Sequence, residues 1–133
     1  MSPPSPPTTP VVAAVIQREG RYLVCQRPAD KRHGGLWEFP GGKVHEGESL
    51  GEAVERELRE ELRLTTLSVG AEPRFAAPDP ASSFLILFLD TEAAGEPHPI
   101  EHQALGWFPP AELSRLPLAP SDLRFVEEIL VGG

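Results

Sequence analysis

Three glutamates, Glu57, Glu60 and Glu61, crowd into the stretch "RELREEL", residues 56 to 62. On a helix, positions spaced i, i+3 and i+4 share one face, and like charges there destabilise an isolated helix. A solvated acidic face, with Arg56 and Arg59 as local counter-charges, is the plain reading. Leu50, Val54, Leu58 and Leu62 recur every fourth residue beside the carboxylates and mark a buried stripe. Diffuse solvation is less available at that border, and a divalent cation would relieve the repulsion. Oxygen donors select a hard ion, Mg²⁺ or alternatively Mn²⁺, which needs little beyond carboxylates, waters and substrate phosphates.

The elements that must position this face follow from local chemistry. Ser49 and Glu52 form a capping box that starts the helix. Gly41-Gly42, just before Lys43, predict a tight turn able to aim a backbone carbonyl or amide at a ligand. Glu48 adds a carboxylate that either reaches the acidic cluster or favours the positive helix end. "VVAAVIQ" (11 to 17) and "RYLVCQR" (21 to 27), joined by "REG", predict a hairpin. "PADKRHGGLW" reads as a loop and Trp37 to Pro40 as extended chain. "SFLILFLD" (83 to 90) and "ALGWF" (104 to 108) are strand-length apolar runs. Leu123, Val126, Ile129 and Leu130 predict a terminal helix, with Ser121 as its cap and Gly132-Gly133 as its stop. The elements make an α/β or α+β unit. Residues 1–10, "MSPPSPPTTP", predict a disordered lead-in, and residues 11–133 a single domain.

Composition bounds the partners. Twelve basic against twenty acidic residues leave a formal charge of -8 over 133 residues. That disfavours a nucleic-acid polymer or an anionic membrane as partner, while a metal can still invert the local field for a small anion. One cysteine, Cys25, precludes an intrachain disulfide framework and predicts a reducing, cytoplasmic setting. No apolar stretch reaches membrane-spanning length. Monomer and homodimer are both open.

The stretch "GKVHEGESLGEAVERELREELRL", from Gly42 to Leu64, is similar to the Nudix box, G-x5-E-x7-R-E-U-x-E-E-x-G-U, with U bulky and apolar. Gly42, Glu48, Arg56, Glu57, Leu58, Glu60, Glu61 and Leu64 match; Arg63 stands where the family has glycine, which puts the helix exit in question. "GGLWEFPGG" and "LAPSDLRFV" extend the likeness to MutT-type and CTP pyrophosphohydrolase-like members. The resemblance implies an α/β/α sandwich around a mixed sheet, with the box as loop-helix-loop. It implies hydrolysis of nucleoside triphosphates to monophosphate and pyrophosphate, which needs an activated water and neutralised phosphate oxygens.

By the same resemblance, Glu57 and Glu61 ligate the metal with the Gly41 carbonyl, and Glu60 and Glu48 complete or tune the shell. Arg56 orients the glutamates. Glu57 and Glu101, in "PIEHQ", are the two candidates for general base, and Glu101 also contacts metal. Arg27 matches an arginine that touches the nucleotide. From the residues alone, Lys43, His33 and His45 are candidates either for phosphate contact or for solvated loop, and Phe39, Phe75 and Phe84 either for a stacking face or for the core. His98 and His102 form no zinc pattern. Asp122 falls where the family reads the base. Ionised, it only accepts, which suits a cytosine amino group; protonated, it also donates, which admits 8-oxo-dGTP. The leading expectation is (d)CTP or a modified cytosine nucleotide. The alternatives are 8-oxo-dGTP, a nucleotide sugar or dinucleoside polyphosphate, and a non-catalytic nucleotide-binding module. The last would have lost box glutamates, and this chain keeps them.

Overall fold

The computed structural model describes residues 9–132. Two sheets form the centre. In the first, β1 (Thr9–Val15) runs parallel to β8 (Phe84–Ala94) and antiparallel to β5 (Gly41–Lys43), while β6 (Thr65–Val69) and β7 (Phe75–Pro78) pair with β8. The second is antiparallel: β3 (Arg21–Gln26) pairs with β2 (Gln17–Arg18), β4 (Trp37–Glu38) and β9 (Ala104–Phe108). Parallel pairing of β1 with β8 needs a long crossover, and the connection contains helix α1 (Leu50–Leu62).

Both faces of β1 are buried, which explains its unbroken apolar run. Val12, Ala14 and Ile16 face one core with Val54, Leu58 and Leu62 of α1. Ala13 and Val15 face the other, with Phe88, Phe125 and Val126. Strand β3 divides likewise, Leu23 and Cys25 against Tyr22 and Val24. Helix α2 (Pro110–Leu113), helix α3 (Pro120–Phe125) and the π-helical turn that continues α3 over Val126–Val131 cover the second face. The result is the mixed-sheet α/β/α architecture with a loop-helix-loop at residues 42–64. Among the described residues no helix is long and apolar enough to cross a membrane.

Three local expectations are corrected. Gly41-Gly42 lie in β5, opposite Ala13 and Val12, and make no turn. The reason for glycine is close approach: a Cβ on Gly41 would stand 1.8 Å from the Val12 carbonyl oxygen. Thr9 and Pro10, expected in the lead-in, open β1 opposite Phe84 and Leu85; the rest of that expectation, residues 1–8, lies outside the described residues. The terminal helix starts at Pro120 after Ala119, where proline's fixed φ suits the first helical position. Ser121 therefore does not cap it, and its hydroxyl donates to the Pro78 carbonyl at 3.2 Å.

The hairpin between β2 and β3 turns through Glu19 and Gly20, both at positive φ, as a two-residue hairpin of this twist requires. The chain leaves α1 through Arg63 at φ 58°, ψ 29°, the left-handed conformation that usually calls for glycine. Arginine thus takes the exit geometry of the missing box glycine, and its N–H still bonds the Arg59 carbonyl at 3.1 Å.

Candidate functional site

Helix α1 is built as its sequence dictates. The Glu52 N–H donates to Ser49 Oγ and the Ser49 N–H to Glu52 Oε1, completing the capping box. The helix lays Val54, Leu58 and Leu62 into the core and turns Glu57, Glu60 and Glu61 toward β5 and the loop before β9. The three carboxylates differ in surroundings: Glu61 is buried, Glu57 mostly buried, and the Glu60 side chain half exposed.

Arg56 organises one side of this face. Its Nε and Nη2 grip both oxygens of Glu48 at 2.7 and 3.0 Å. Its Nη1 donates to Glu57 at 2.7 Å and reaches Glu60 at 3.4 Å, and its Nη2 also takes the Lys43 carbonyl of β5. The guanidinium, helped by the His45 N–H, holds the Glu48 carboxyl down at about 2. Gly42 lies directly beneath Glu57, where a Cβ would come within 2.6 Å of the carboxylate. Any side chain there would push Glu57 off its position.

Glu61 lies on the other side. Burial, then neighbouring Glu57, then Glu38 and Glu101, push its carboxyl far above the usual range. Its Oε2 has no hydrogen-bond partner among the described residues. A buried carboxylate among acids, with one oxygen uncommitted, fits a cation, since unpaired burial of the charge is otherwise strongly unfavourable. Among the described residues no three His, Cys, Asp or Glu side chains gather closely enough to cage an ion. A partial carboxylate set is what a cation that keeps several waters requires. Glu57, Glu60, Glu61, Glu101 and the Gly41 carbonyl are the donors in the neighbourhood.

Two cavities adjoin. One of about 400 Å³ is lined by Glu61, Glu101, His102, Arg27 and Lys31. The other, about 270 Å³, is lined by residues that include Arg27, Glu38, Gly42, Lys43, Phe84 and Asp122. Arg27 borders both. Its Nη1 lies 3.1 Å from each oxygen of Glu38, and its Nε donates to the Arg32 carbonyl at 2.6 Å. Burial raises the Glu38 carboxyl, and Arg27 opposes that rise.

The backbone brings Asp122 to this second cavity. Residues 117 to 119 are tied to β4 by Trp37 N–H to Pro117 and Ala119 N–H to Trp37. Asp122 Oδ2 then accepts the Phe39 N–H at 2.9 Å. Burial, reinforced by Glu38, pushes the Asp122 carboxyl up to about 8 against the Phe39 hydrogen bond. Burial and Glu38 thus favour the protonated carboxyl, in which one oxygen is taken by the Phe39 N–H and the proton can be donated.

Phe39 lines the smaller cavity, but with its ring turned into the core. Its ring is buried and packs edge-on against Phe88 and Phe125, at 6.0 and 5.4 Å. Phe75 packs against the same pair. Phe84 is the half-buried aromatic at the cavity, with Lys43 Nζ 5.0 Å and the Arg32 guanidinium 5.7 Å from its ring centre. Sequence reasoning passed over Glu38, Asp79 and Arg32. Glu38, an acid between Trp37 and Phe39, carried a signal: a charge set among large apolar side chains implies a buried partner. Asp79 accepts from Arg32 at 2.7 Å and from Ser82 at 2.6 Å, and nothing in its local sequence announces that.

A family model described as the NUDIX domain matches residues 7–129. CTP pyrophosphohydrolase of Escherichia coli is 40% identical over 124 residues, covering 90% of each chain. Putative 8-oxo-dGTP diphosphatase 2 of Mycobacterium tuberculosis is 36% identical over 121 residues, covering 90% of this chain and 86% of that one. Among solved structures, the MutT NUDIX hydrolase from Burkholderia pseudomallei superposes with a TM-score of 0.78 at 30% identity, over 91% of this chain and 97% of that one.

Proposed function

The chain belongs to the NUDIX family, and from that premise we propose that it is a Mg²⁺- or Mn²⁺-dependent nucleoside triphosphate pyrophosphohydrolase. It takes cytosine nucleotides, (d)CTP and modified forms, and releases monophosphate and pyrophosphate, as a cytoplasmic enzyme that cleanses the nucleotide pool. The observation that carries this reading is Arg27, which lines both cavities. A nucleotide laid across that guanidinium has its base toward Asp122 and its phosphates toward the carboxylates.

Glu57, Glu61 and Glu60, with the Gly41 carbonyl and Glu101, would hold the ion. When bound, it would neutralise phosphate oxygens and acidify a water. The chain's own groups do the rest. Arg56 fixes Glu57 through a 2.7 Å charge-assisted bond, so that its carboxylate can orient the attacking water and take its proton. Glu101, on the far wall of the larger cavity, is the second candidate for that proton. Lys43 and Arg27 face the cavities with positive charge for the phosphates.

Cytosine is favoured by the likeness to the CTP pyrophosphohydrolase. A second reading, 8-oxo-dGTP, is favoured by the raised Asp122 carboxyl, which when protonated can donate to a purine carbonyl. A nucleotide screen with pyrophosphate detection tests the reading. The highest kcat/KM is expected for dCTP or a ring-substituted dCTP. Primacy of 8-oxo-dGTP would select the second reading, and primacy of a nucleotide sugar or dinucleoside polyphosphate would overturn both.

A further inference from the structure

The loop between β8 and β9 carries a histidine for which the proposed chemistry has no use. The loop is fastened at both ends. His98 N–H donates to the Leu62 carbonyl at 2.9 Å and Ile100 N–H to the Glu61 carbonyl at 3.1 Å. These are terminal carbonyls of α1, which have no partner within the helix. At the other end Gln103 N–H donates to the Gln26 carbonyl of β3 at 2.9 Å, and the two glutamine side chains bond at 3.1 Å. So held, the loop sets His102 directly over Glu61. Nε2 lies 3.5 Å from Glu61 Oε1, with the side chains only 5% and 7% exposed.

The other atom of each group, His102 Nδ1 and Glu61 Oε2, is buried without a hydrogen-bond partner among the described residues. Buried polar atoms are rarely left unpaired, and each case calls for an explanation. Their state follows from the neighbours. A neutral imidazole carries its proton on one nitrogen. On Nδ1, that proton would be a buried donor with no acceptor, and with Glu61 ionised over a bound ion Nε2 would turn a lone pair toward a carboxylate oxygen. On Nε2, it has Glu61 Oε1 as the acceptor within reach, at 3.5 Å.

We propose that His102 is a positioning residue for the divalent-ion site: its Nε2–H engages Glu61 Oε1 and so leaves Oε2 directed at the ion. The inference rests on the reading of Glu61 as a metal ligand. It explains why the partner is an imidazole. A lysine or arginine there would be a built-in cation competing with the metal, whereas a neutral donor orients the carboxylate and leaves its charge to the ion. Hydrogen-bonded partners of metal ligands commonly contribute about 10- to 100-fold in metal affinity.

Glutamine and asparagine separate the two nitrogens. In His102→Gln the amide N–H stands near the position of Nε2, and in His102→Asn near that of Nδ1. Mn²⁺ binding is measured without nucleotide, by electron paramagnetic resonance of the free ion, on wild type and both variants, with melting temperatures alongside. His102→Asn should weaken Mn²⁺ binding about tenfold or more, and His102→Gln should keep it near wild type. The metal concentration for half-maximal hydrolysis should move with the binding constant. Unchanged Mn²⁺ binding in His102→Asn overturns the proposal. So does an equal loss in both variants, with or without a lowered melting temperature, since the shape of the ring would then matter and its donor would not. Absence of Mn²⁺ binding in wild type removes this inference together with the metal reading. A wild type that binds Mn²⁺ and responds to the variants as expected, yet hydrolyses no nucleotide, supports this inference and removes the proposed function.

Discussion

The backbone N–H of Phe39 donates to Asp122 Oδ2 at 2.9 Å, joining the exit of β4 to the first turn of α3. Both residues line the smaller cavity, and burial together with Glu38 raises the carboxyl to about 8. Linkage fixes the sign of the consequence. Unfolded, Asp122 releases its proton near 4; folded, it keeps the proton to about 8. The folded state thus binds more protons in between, and stability falls as pH rises through that window. Asp122→Asn cannot ionise. Between pH 4 and 8 the wild type should lose stability more steeply than the variant in urea titrations, and parallel curves would remove the raised carboxyl.

Base choice should respond to the same substitution. In Asp122→Asn the side-chain oxygen is occupied by Phe39 N–H, so the free end only donates. A cytosine amino group then loses the acceptor capacity of the carboxyl's free oxygen, whereas an oxopurine carbonyl keeps a donor. One net hydrogen bond is worth about 0.5–1.5 kcal/mol, so the ratio of kcat/KM for dCTP over 8-oxo-dGTP should drop about two- to tenfold. An unchanged ratio in a folded variant leaves Asp122 as a packing and helix-start residue.

How far such features could be read in the sequence depended on whether their cause was local. Helix α1 was legible because its stripe, its capping box and its carboxylate spacing all lie within one segment. Gly41-Gly42 misled because a glycine pair signals a turn locally, while its cause is the distant Val12 carbonyl and Glu57 carboxylate. Phe39 was offered as a stacking face, yet Phe88 and Phe125 claim its ring. The raised carboxyl of Asp122 depends on burial by elements remote in sequence. His102 was visible as a residue but not as Glu61's partner, since only the docked loop brings them together.

Glu57→Gln keeps the shape of the side chain and removes its charge, so the fold should survive and the chemistry should not. Loss of a carboxylate that orients and deprotonates the water should lower kcat by on the order of 10²–10⁴. Arg56 retains both oxygens of Glu48 as partners, so the melting temperature should shift little. Near-normal turnover by a folded variant would remove Glu57 from the assigned role. Chelating the divalent ion should stop hydrolysis in wild type and lower its melting temperature, because a ligand that binds only the folded state stabilises it.

Arg63 holds a left-handed conformation at φ 58° that costs a non-glycine residue roughly 1–2 kcal/mol. Glycine removes that strain but gains freedom in the unfolded chain, an opposing effect of about 0.5–1 kcal/mol. Arg63→Gly should therefore stabilise the protein by up to about 1.5 kcal/mol, the difference between those two terms. Activity should be unchanged, since Arg63 supplies no ligand. A loss of stability in chemical denaturation would mean that the arginine side chain makes a compensating contact.

The position of bond cleavage is the remaining expectation. The proposed reading places the carboxylates and the ion beside the phosphate chain, with Arg27 and the base cavity beyond it. The products assigned, monophosphate and pyrophosphate, arise from attack at either the α or the β phosphorus. Attack at β leaves the bridging oxygen with the monophosphate and puts the water oxygen in pyrophosphate; attack at α does the reverse. Anchoring of the base against Asp122 and of the sugar end near Arg27 leaves the outer phosphates nearest Glu57 and Glu61, which favours attack at β. Hydrolysis of dCTP in ¹⁸O-labelled water, read by mass spectrometry, should therefore place the label in pyrophosphate. Label confined to the monophosphate would put the water at α and require the nucleotide to lie deeper, with its innermost phosphate against the carboxylates.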